Sequence, residues 1–225
     1  MDQLYQQLKL YGRVKLNELM SKHTTFKIGG PARYFVIISE TAKLVELLNF
    51  LTGQGVNYFI LGGGSNLLFS DEEYDGIVIR LQTIDFRFQT DNVFMVESGV
   101  LFGQAVDTAL QNSLAGMEWA VGIPGTVGGA ARGNAGAFGG DMSDVLYKAD
   151  VWRDGEIVEL KNSDCQFDYR DSIFKRKGNK DVVLRAYLKF KKGDKTEIMK
   201  KMSEYAKQRG SRVTSYPTCG CFFKN

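Results

Sequence analysis

Eight of the chain's 25 glycines lie between Gly122 and Gly140, in the run Gly-Ile-Pro-Gly-Thr-Val-Gly-Gly-Ala-Ala-Arg-Gly-Asn-Ala-Gly-Ala-Phe-Gly-Gly. Inside regular structure glycine costs about 0.5–1 kcal/mol relative to alanine, so this density calls for positive φ angles or for something bulky pressed against bare backbone. The expected guest is a bound cofactor. A second cluster, Gly62-Gly63-Gly64-Ser65-Asn66, follows the apolar run Tyr58-Phe59-Ile60-Leu61 and precedes Leu67-Leu68-Phe69. Successive N–H groups in such a loop form an anion-binding nest without a charged side chain. A tight turn after a strand is the alternative reading of the same residues. Together the two clusters imply one shared ligand.

The usual phosphate motifs do not account for these glycines. There is no Gly-Lys-Ser or Gly-Lys-Thr, and Gly62-x-Gly64 is followed by Leu67 where a dinucleotide fingerprint requires glycine. A different fold must use them. The chain has 225 residues, 44% of them hydrophobic and 24% charged, with three prolines, which is ample for a core and for two subdomains. A net charge of +3 and a pI near 8.6 fall short of the basic footprint of a nucleic-acid binder, whose domain pI is typically above ~9. A small anionic ligand fits that balance, and no nucleic-acid partner is expected. The first residues lack the basic and apolar regions of a secretory signal, and no run approaches the ~20 apolar residues of a membrane span. The expectation is a cytoplasmic protein with no membrane partner. Cys165, Cys219 and Cys221 make an odd set, in keeping with a reducing compartment. His23 is the sole histidine and no Cys-x-x-Cys spacing occurs, so no metal is expected.

Periodicity predicts an α+β protein. Leu4, Leu8 and Tyr11 recur at helical spacing, and Tyr34–Ile38 reads as a buried strand. Thr41–Leu51 carries Leu44, Leu47, Leu48 and Leu51 on one helical face, with Thr41 as a candidate N-cap and Gly53 or Gly55 at the end. Strands follow at 57–61, Ile77–Ile79 and Val93–Glu97, then a helix at Phe102–Gln111. After the glycine segment come strands at Ala149–Trp152, Ile157–Leu160 and Val182–Phe190, and a helix at Thr196–Gln208 with Ile198, Met202 and Tyr205 on one side. A domain boundary is expected near residue 190.

Five strings in order carry a resemblance. They are His23-Thr-Thr-Phe-Lys-Ile-Gly-Gly-Pro-Ala32, Leu61-Gly-Gly-Gly-Ser-Asn-Leu-Leu68, Gly122–Gly129 with Asn134–Gly140, Tyr169-Arg-Asp-Ser-Ile-Phe-Lys175, and Cys219-Gly-Cys-Phe-Phe-Lys-Asn225. Together they resemble the UDP-N-acetylenolpyruvoylglucosamine reductases, flavoenzymes of peptidoglycan precursor synthesis, over essentially the whole chain. The spacing of Arg170 and Cys221 resembles the compact type of that family. The resemblance implies a two-subdomain FAD-binding fold of the PCMH/vanillyl-alcohol-oxidase type over residues 1–190, with subdomains of approximately 1–80 and 81–190. It further implies that 191–225 open an α+β substrate-binding domain that this chain carries only in truncated form. FAD, held non-covalently, would meet Gly62, Gly63, Gly64, Ser65 and Asn66 at its pyrophosphate, and Gly122, Gly125, Thr126, Gly128, Gly129, Asn134 and Gly136 on the opposite wall.

In the resembled family NADPH reduces FAD, which passes hydride to the vinyl carbon of UDP-N-acetylglucosamine enolpyruvate. The resemblance gives Arg170 and Cys221 the catalytic roles and places Tyr169, Lys224 and Asn225 near the substrate. A guanidinium grips a carboxylate in bidentate fashion and stabilises charge that develops there; the plainer reading of Arg170 is a salt bridge with Asp168 or Asp171. A thiol with an unperturbed pKa near ~8.5 is mostly protonated at neutral pH and has a proton to give; the plainer reading of Cys221 is a small core residue, which Cys165 and Cys219 keep. The family also continues past Phe-Lys-Asn to a late glutamate. Two alternatives therefore accompany the reductase: a flavin-binding module without turnover, and one half of a split reductase completed by a second chain.

Overall fold

A computed structural model describes residues 3–176, 178–210 and 216–220. The chain forms two compact units divided between Thr83 and Ile84, with Asp154–Glu156 returning to the first.

The first unit opens with α1 (Gln3–Leu8) and β1 (Arg13–Leu19), followed by β2 (Pro31–Ile38), α2 (Thr41–Gln54), β3 (Tyr58–Leu61) and β4 (Tyr74–Leu81). These strands make one sheet in the order β1-β2-β4-β3, in which β2, β3 and β4 are mutually parallel and β1 is antiparallel. The leucine stripe of α2 explains its place. Leu44, Leu47, Leu48 and Leu51 are fully buried, and the helix packs on β2. It ends at Gly55, whose φ of +64° closes the last turn in a left-handed conformation that glycine adopts without a Cβ penalty. Thr41 is not the cap: Glu40 holds that position, with no side-chain capping bond, and Thr41 is buried as the first helical residue. The other face of the sheet carries a second cluster, Met20, Ala32, Phe35, Ile37, Leu61 and Val78.

In the second unit β5 (Phe86–Thr90) and β6 (Val93–Glu97) precede α3 (Phe102–Gln111) and the short β7 (Leu114–Ala115). Next come α4 (Val127–Arg132), β8 (Gly136–Ala137), β9 (Gly140–Asp141), β10 (Leu146–Arg153), β11 (Glu156–Lys161) and β12 (Val182–Lys189), then β13 (Lys191–Lys192) and α5 (Lys195–Gly210). The main sheet runs β11-β10-β12-β6-β5. Its core gathers Phe94, Val96, Phe102, Val106, Trp119 and Val127 with residues from β10 and β12. Ile198 and Met202 of α5 are buried in this same core. The compact unit that begins at Ile84 therefore runs through residue 190, where a boundary was expected, because the apolar side of α5 faces the core of the second unit.

Besides the two-residue strands β7, β8, β9 and β13, two longer strands are not expected from the sequence. β1 and β5 lie at sheet edges and are largely half-buried or exposed, so neither shows a continuous apolar run.

Candidate functional site

The Gly62–Asn66 turn follows β3 directly. Gly64 has φ +67°, and a Cβ there would lie 1.9 Å from the His23 carbonyl oxygen. Its own carbonyl accepts from Thr25 N–H at 3.1 Å. So this glycine is required twice, by its left-handed backbone and by the close approach of the 23–25 segment. Among the described residues, none of the five N–H groups from Gly62 to Asn66 donates to a protein acceptor. Five consecutive free donors around a left-handed glycine are what an anion nest requires.

The Gly122–Gly140 segment is built differently. Thr126 caps α4, its Oγ1 accepting from Gly129 N–H at 3.4 Å. Gly128 N–H donates to the Ser98 carbonyl at 2.9 Å, and a Cβ at 128 would sit 2.5 Å from Ser98 Cβ. A Cβ at Gly136 would meet Asp141 Cβ at 2.6 Å, and one at Gly140 would meet the Trp119 ring at 2.4 Å. Gly122 and Gly125 hold φ values of +71° and +116°. Several of these glycines thus have protein neighbours as their reason, where composition alone pointed to a guest. Asn134 is buried and clips the loop from inside. Its Nδ2 donates to Asp141 Oδ2 at 3.2 Å and to the Asp168 carbonyl at 3.0 Å, while its Oδ1 accepts from Ser143 N–H at 3.1 Å.

Arg209 fastens the same segment from α5. Its Nε donates to the Val121 carbonyl at 2.8 Å, and its guanidinium lies 5.3 Å from the Phe138 ring centroid. Phe138 in turn stacks on Tyr205 at 4.4 Å with parallel planes. A cavity of about 710 Å³ opens beside α3, lined by Leu101, Gln104, Thr108, Ile123 and, of the residues singled out in the sequence, Gly122 and Gly125. That volume is in the range of small-molecule sites, ~300–1,000 Å³.

Arg170 lies on this loop cluster. Its Nη1 is 3.2 Å from where a Gly136 Cβ would be, and its guanidinium sits 5.4 Å from the half-exposed Tyr169 ring. The segment around it is pinned by Ser172, fully buried, whose Oγ donates to the Arg132 carbonyl at 2.7 Å. Among the described residues no carboxylate pairs with Arg170: Asp171 instead lies 3.6 Å from Arg176. The salt-bridge reading of Arg170 is therefore replaced by a guanidinium held beside the glycine loop with no carboxylate bound to it.

Cys221, Lys224 and Asn225 lie outside the described residues. The segment just before them is tied to the first unit, where Thr25 Oγ1 donates to the Thr218 carbonyl at 2.7 Å. Cys219 and Cys165 are buried. Burial pushes the Cys165 thiol up to about 12, which removes it from thiolate chemistry near neutrality.

Residues with no motif around them complete the picture. Ser98 Oγ and Arg80 Nε are buried polar atoms without a hydrogen-bond partner among the described residues. Ser98 packs on Gly128, and Arg80 pairs in register with Leu61, the residue before the glycine turn. In each unit, taken by itself, an orphaned donor near a glycine segment is a feature that a polar ligand would satisfy.

The features of both units are those of an α+β flavin-binding protein. Residues 32–161 match a family model described as an FAD binding domain. The chain is 38% identical to UDP-N-acetylenolpyruvoylglucosamine reductase of Caldanaerobacter subterraneus subsp. tengcongensis, over 99% of its own length and 74% of the relative's. It is 40% identical to the enzyme of the same name from Caldicellulosiruptor bescii, over 91% and 66%. The crystal structure of the Thermus caldophilus reductase superposes with a TM-score of 0.82 at 32% identity, covering 95% of this chain and 75% of that one. The chain belongs to the UDP-N-acetylenolpyruvoylglucosamine reductase family, and it spans about two thirds to three quarters of the length of these relatives. No helix among the described residues is long and apolar enough to cross a membrane.

Proposed function

We propose that this chain carries the FAD-binding part of an NADPH-dependent reductase that converts UDP-N-acetylglucosamine enolpyruvate to UDP-N-acetylmuramate in peptidoglycan precursor synthesis. The observation that carries the reading is the set of N–H donors at Gly62, Gly63, Gly64, Ser65 and Asn66 that have no acceptor among the described residues, in a chain of this family. These amides would hold the FAD pyrophosphate. Gly122, Gly125, Thr126, Gly128, Gly129, Asn134 and Gly136 would hold the rest of the cofactor, Asn134 by fixing the loop and Ser98 by its free hydroxyl. When bound, FAD supplies the two-electron chemistry of the reaction.

Arg170 would take the substrate carboxylate. Among the described residues its guanidinium has no carboxylate partner, so it can take an anion without first breaking an ion pair. Tyr169, on whose face it lies, would fix its direction. Cys221 would deliver a proton to the substrate carbon, with Lys224 and Asn225 near the UDP-sugar. The substrate domain would open after α5, which packs in the core of the second unit, and a cytoplasmic location follows from the nucleotide-linked substrate.

The test is stepwise on the purified chain. Its absorbance should show bound flavin, anaerobic NADPH should bleach it, and the enolpyruvyl substrate should restore the oxidised spectrum. Bleaching without recovery would point instead to a flavin-binding module or to one half of a two-chain reductase. Failure to bind flavin at all would overturn the proposal.

A further inference from the structure

His23, the chain's single histidine, has both ring nitrogens engaged. Nε2 lies 2.9 Å from Glu18 Oε1, and Nδ1 lies 2.7 Å from Arg80 Nη1. The ring stacks on Phe35 of β2, with centroids 4.2 Å apart. A guanidinium has donors and no acceptor. Arg80 can therefore only donate to Nδ1, which must carry a lone pair, so the single ring proton sits on Nε2 and is donated to Glu18. A protonated imidazole would turn two N–H groups toward each other at Nδ1. The arrangement exists only for the neutral ring.

The main chain of the same residue supports the glycine turn. The His23 carbonyl fills the space a Cβ of residue 64 would need, and the neighbouring Thr25 N–H donates to the Gly64 carbonyl. Arg80 stands opposite Leu61, the residue that precedes that turn, in the β3–β4 register. Side chains from β1 and β4 thus converge on the ring of the residue whose main chain abuts the nest.

We propose that Glu18, His23 and Arg80 act as positioning residues for the Gly62–Asn66 nest, and that protonation of His23 releases the turn and weakens cofactor binding. This rests on the FAD reading given above. The groups facing the ring are Glu18 and Lys15 from β1, Arg80 from β4 and the uncharged Phe35 from β2; Lys22 acts on Glu18. Burial lowers the His23 pKa below 6.5, the hydrogen bond to Glu18 opposes this, and the charge of Arg80 reinforces it. Glu18 is held at about 2, chiefly by its hydrogen bond from Lys15, and stays ionised throughout. A base whose folded pKa is depressed binds fewer protons in the folded state. Its contribution is complete above ~6.5 and is lost as pH falls through the lower folded value.

The experiment titrates FAD into the full chain between pH 8 and pH 5 by flavin fluorescence, and follows the one imidazole and the Gly62–Asn66 amides by NMR in the flavin-free chain. Affinity should fall about tenfold, the effect of one pKa unit of coupling, with a midpoint below 6.5 shared by the imidazole and the turn amides. His23→Asn, whose Oδ1 offers Arg80 an acceptor near the place of Nδ1 but does not titrate, should bind FAD comparably at pH 8 and lose the pH dependence. Tight but pH-independent binding by the wild-type chain, or turn amides that ignore the imidazole midpoint, overturns the relay and leaves the FAD reading standing. A chain that binds no FAD at any pH overturns both.

Discussion

The two glycine-rich segments are alike in composition and opposite in use. At Gly62–Asn66 no backbone donor finds an acceptor among the described residues, and the turn takes its shape from a neighbour, the His23 carbonyl against Gly64. At Gly122–Gly140 the donors from Val127 to Ala130 are all consumed inside the protein. There, absent side chains let Ser98, Asp141 and Trp119 close in. The first segment offers an unbroken row of donors; the second joins close approach to the N–H groups of Gly122, Gly125 and Thr126, which find no acceptor among the described residues. A glycine cluster therefore does not announce a ligand by itself; the fate of its N–H groups decides.

The sharpest way to break this contrast is to place a methyl group in each segment. Gly64→Ala carries a left-handed penalty of about 1–2 kcal/mol, and the collision with the His23 carbonyl adds an overpacking cost of about 1–3 kcal/mol. Because the same turn carries the row of N–H donors, this variant should lose FAD affinity by about a hundredfold, as read by fluorescence titration, beyond the stability those costs remove. A Gly64→Ala chain that melts early while binding FAD normally would reverse the roles assigned to the two segments.

Gly140→Ala should do the opposite. Its Cβ would enter the Trp119 ring, which is itself fixed by Nε1 donating to the Gly116 carbonyl at 2.9 Å. Overpacking there should cost about 1–3 kcal/mol, lowering Tm by about 2–4 °C per kcal/mol in a chain of this size. Calorimetry on the flavin-free protein reads this directly. An unchanged Tm would mean that Trp119 has room to move and that the second segment is not held by packing.

The contrast was only half visible in the sequence. The α2, α3 and α5 helices announce themselves through stripes such as Leu44, Leu47, Leu48 and Leu51, because a buried helical face must repeat near 3.6 residues. The motif strings mark where glycine is needed. They do not say why, since the atom that would strike a Cβ is supplied by tertiary neighbours: Ser98 for Gly128, Trp119 for Gly140, His23 for Gly64. The Glu18–His23–Arg80 cluster was equally hidden. Its arginine is 57 residues from the histidine, and only the pairing of β4 with β2 and β3 brings them together. Asn134 is expected at the site from its motif, and its amide is occupied by Asp141, Ser143 and Asp168, which is a loop-building role.

Asn134→Ala isolates that role. It leaves the Asp168 carbonyl without this donor, while Ser143 N–H keeps a second acceptor in Asp141 Oδ1 at 3.0 Å. The loss should be about 1–2 kcal/mol of stability, smaller than for Gly140→Ala, with FAD affinity reduced only as far as the loop loosens. An affinity loss larger than the stability loss would show that the amide itself touches the cofactor.

The smallest effect separates the two kinds of segment at their most ambiguous point. Ser98 Oγ is buried against Gly128 and has no partner among the described residues, so without a ligand its hydroxyl is a cost of about 1 kcal/mol or more. Ser98→Ala removes that cost together with one oxygen. If the second segment contributes only close approach, the flavin-free chain should gain up to about 1 kcal/mol while FAD affinity stays constant. If the hydroxyl is a donor to the cofactor, the same gain in the flavin-free chain should be accompanied by a several-fold weaker complex, since a net hydrogen bond contributes about 0.5–1.5 kcal/mol. Melting curves with and without FAD distinguish these outcomes, and the second would move Ser98 from a packing surface to a working contact.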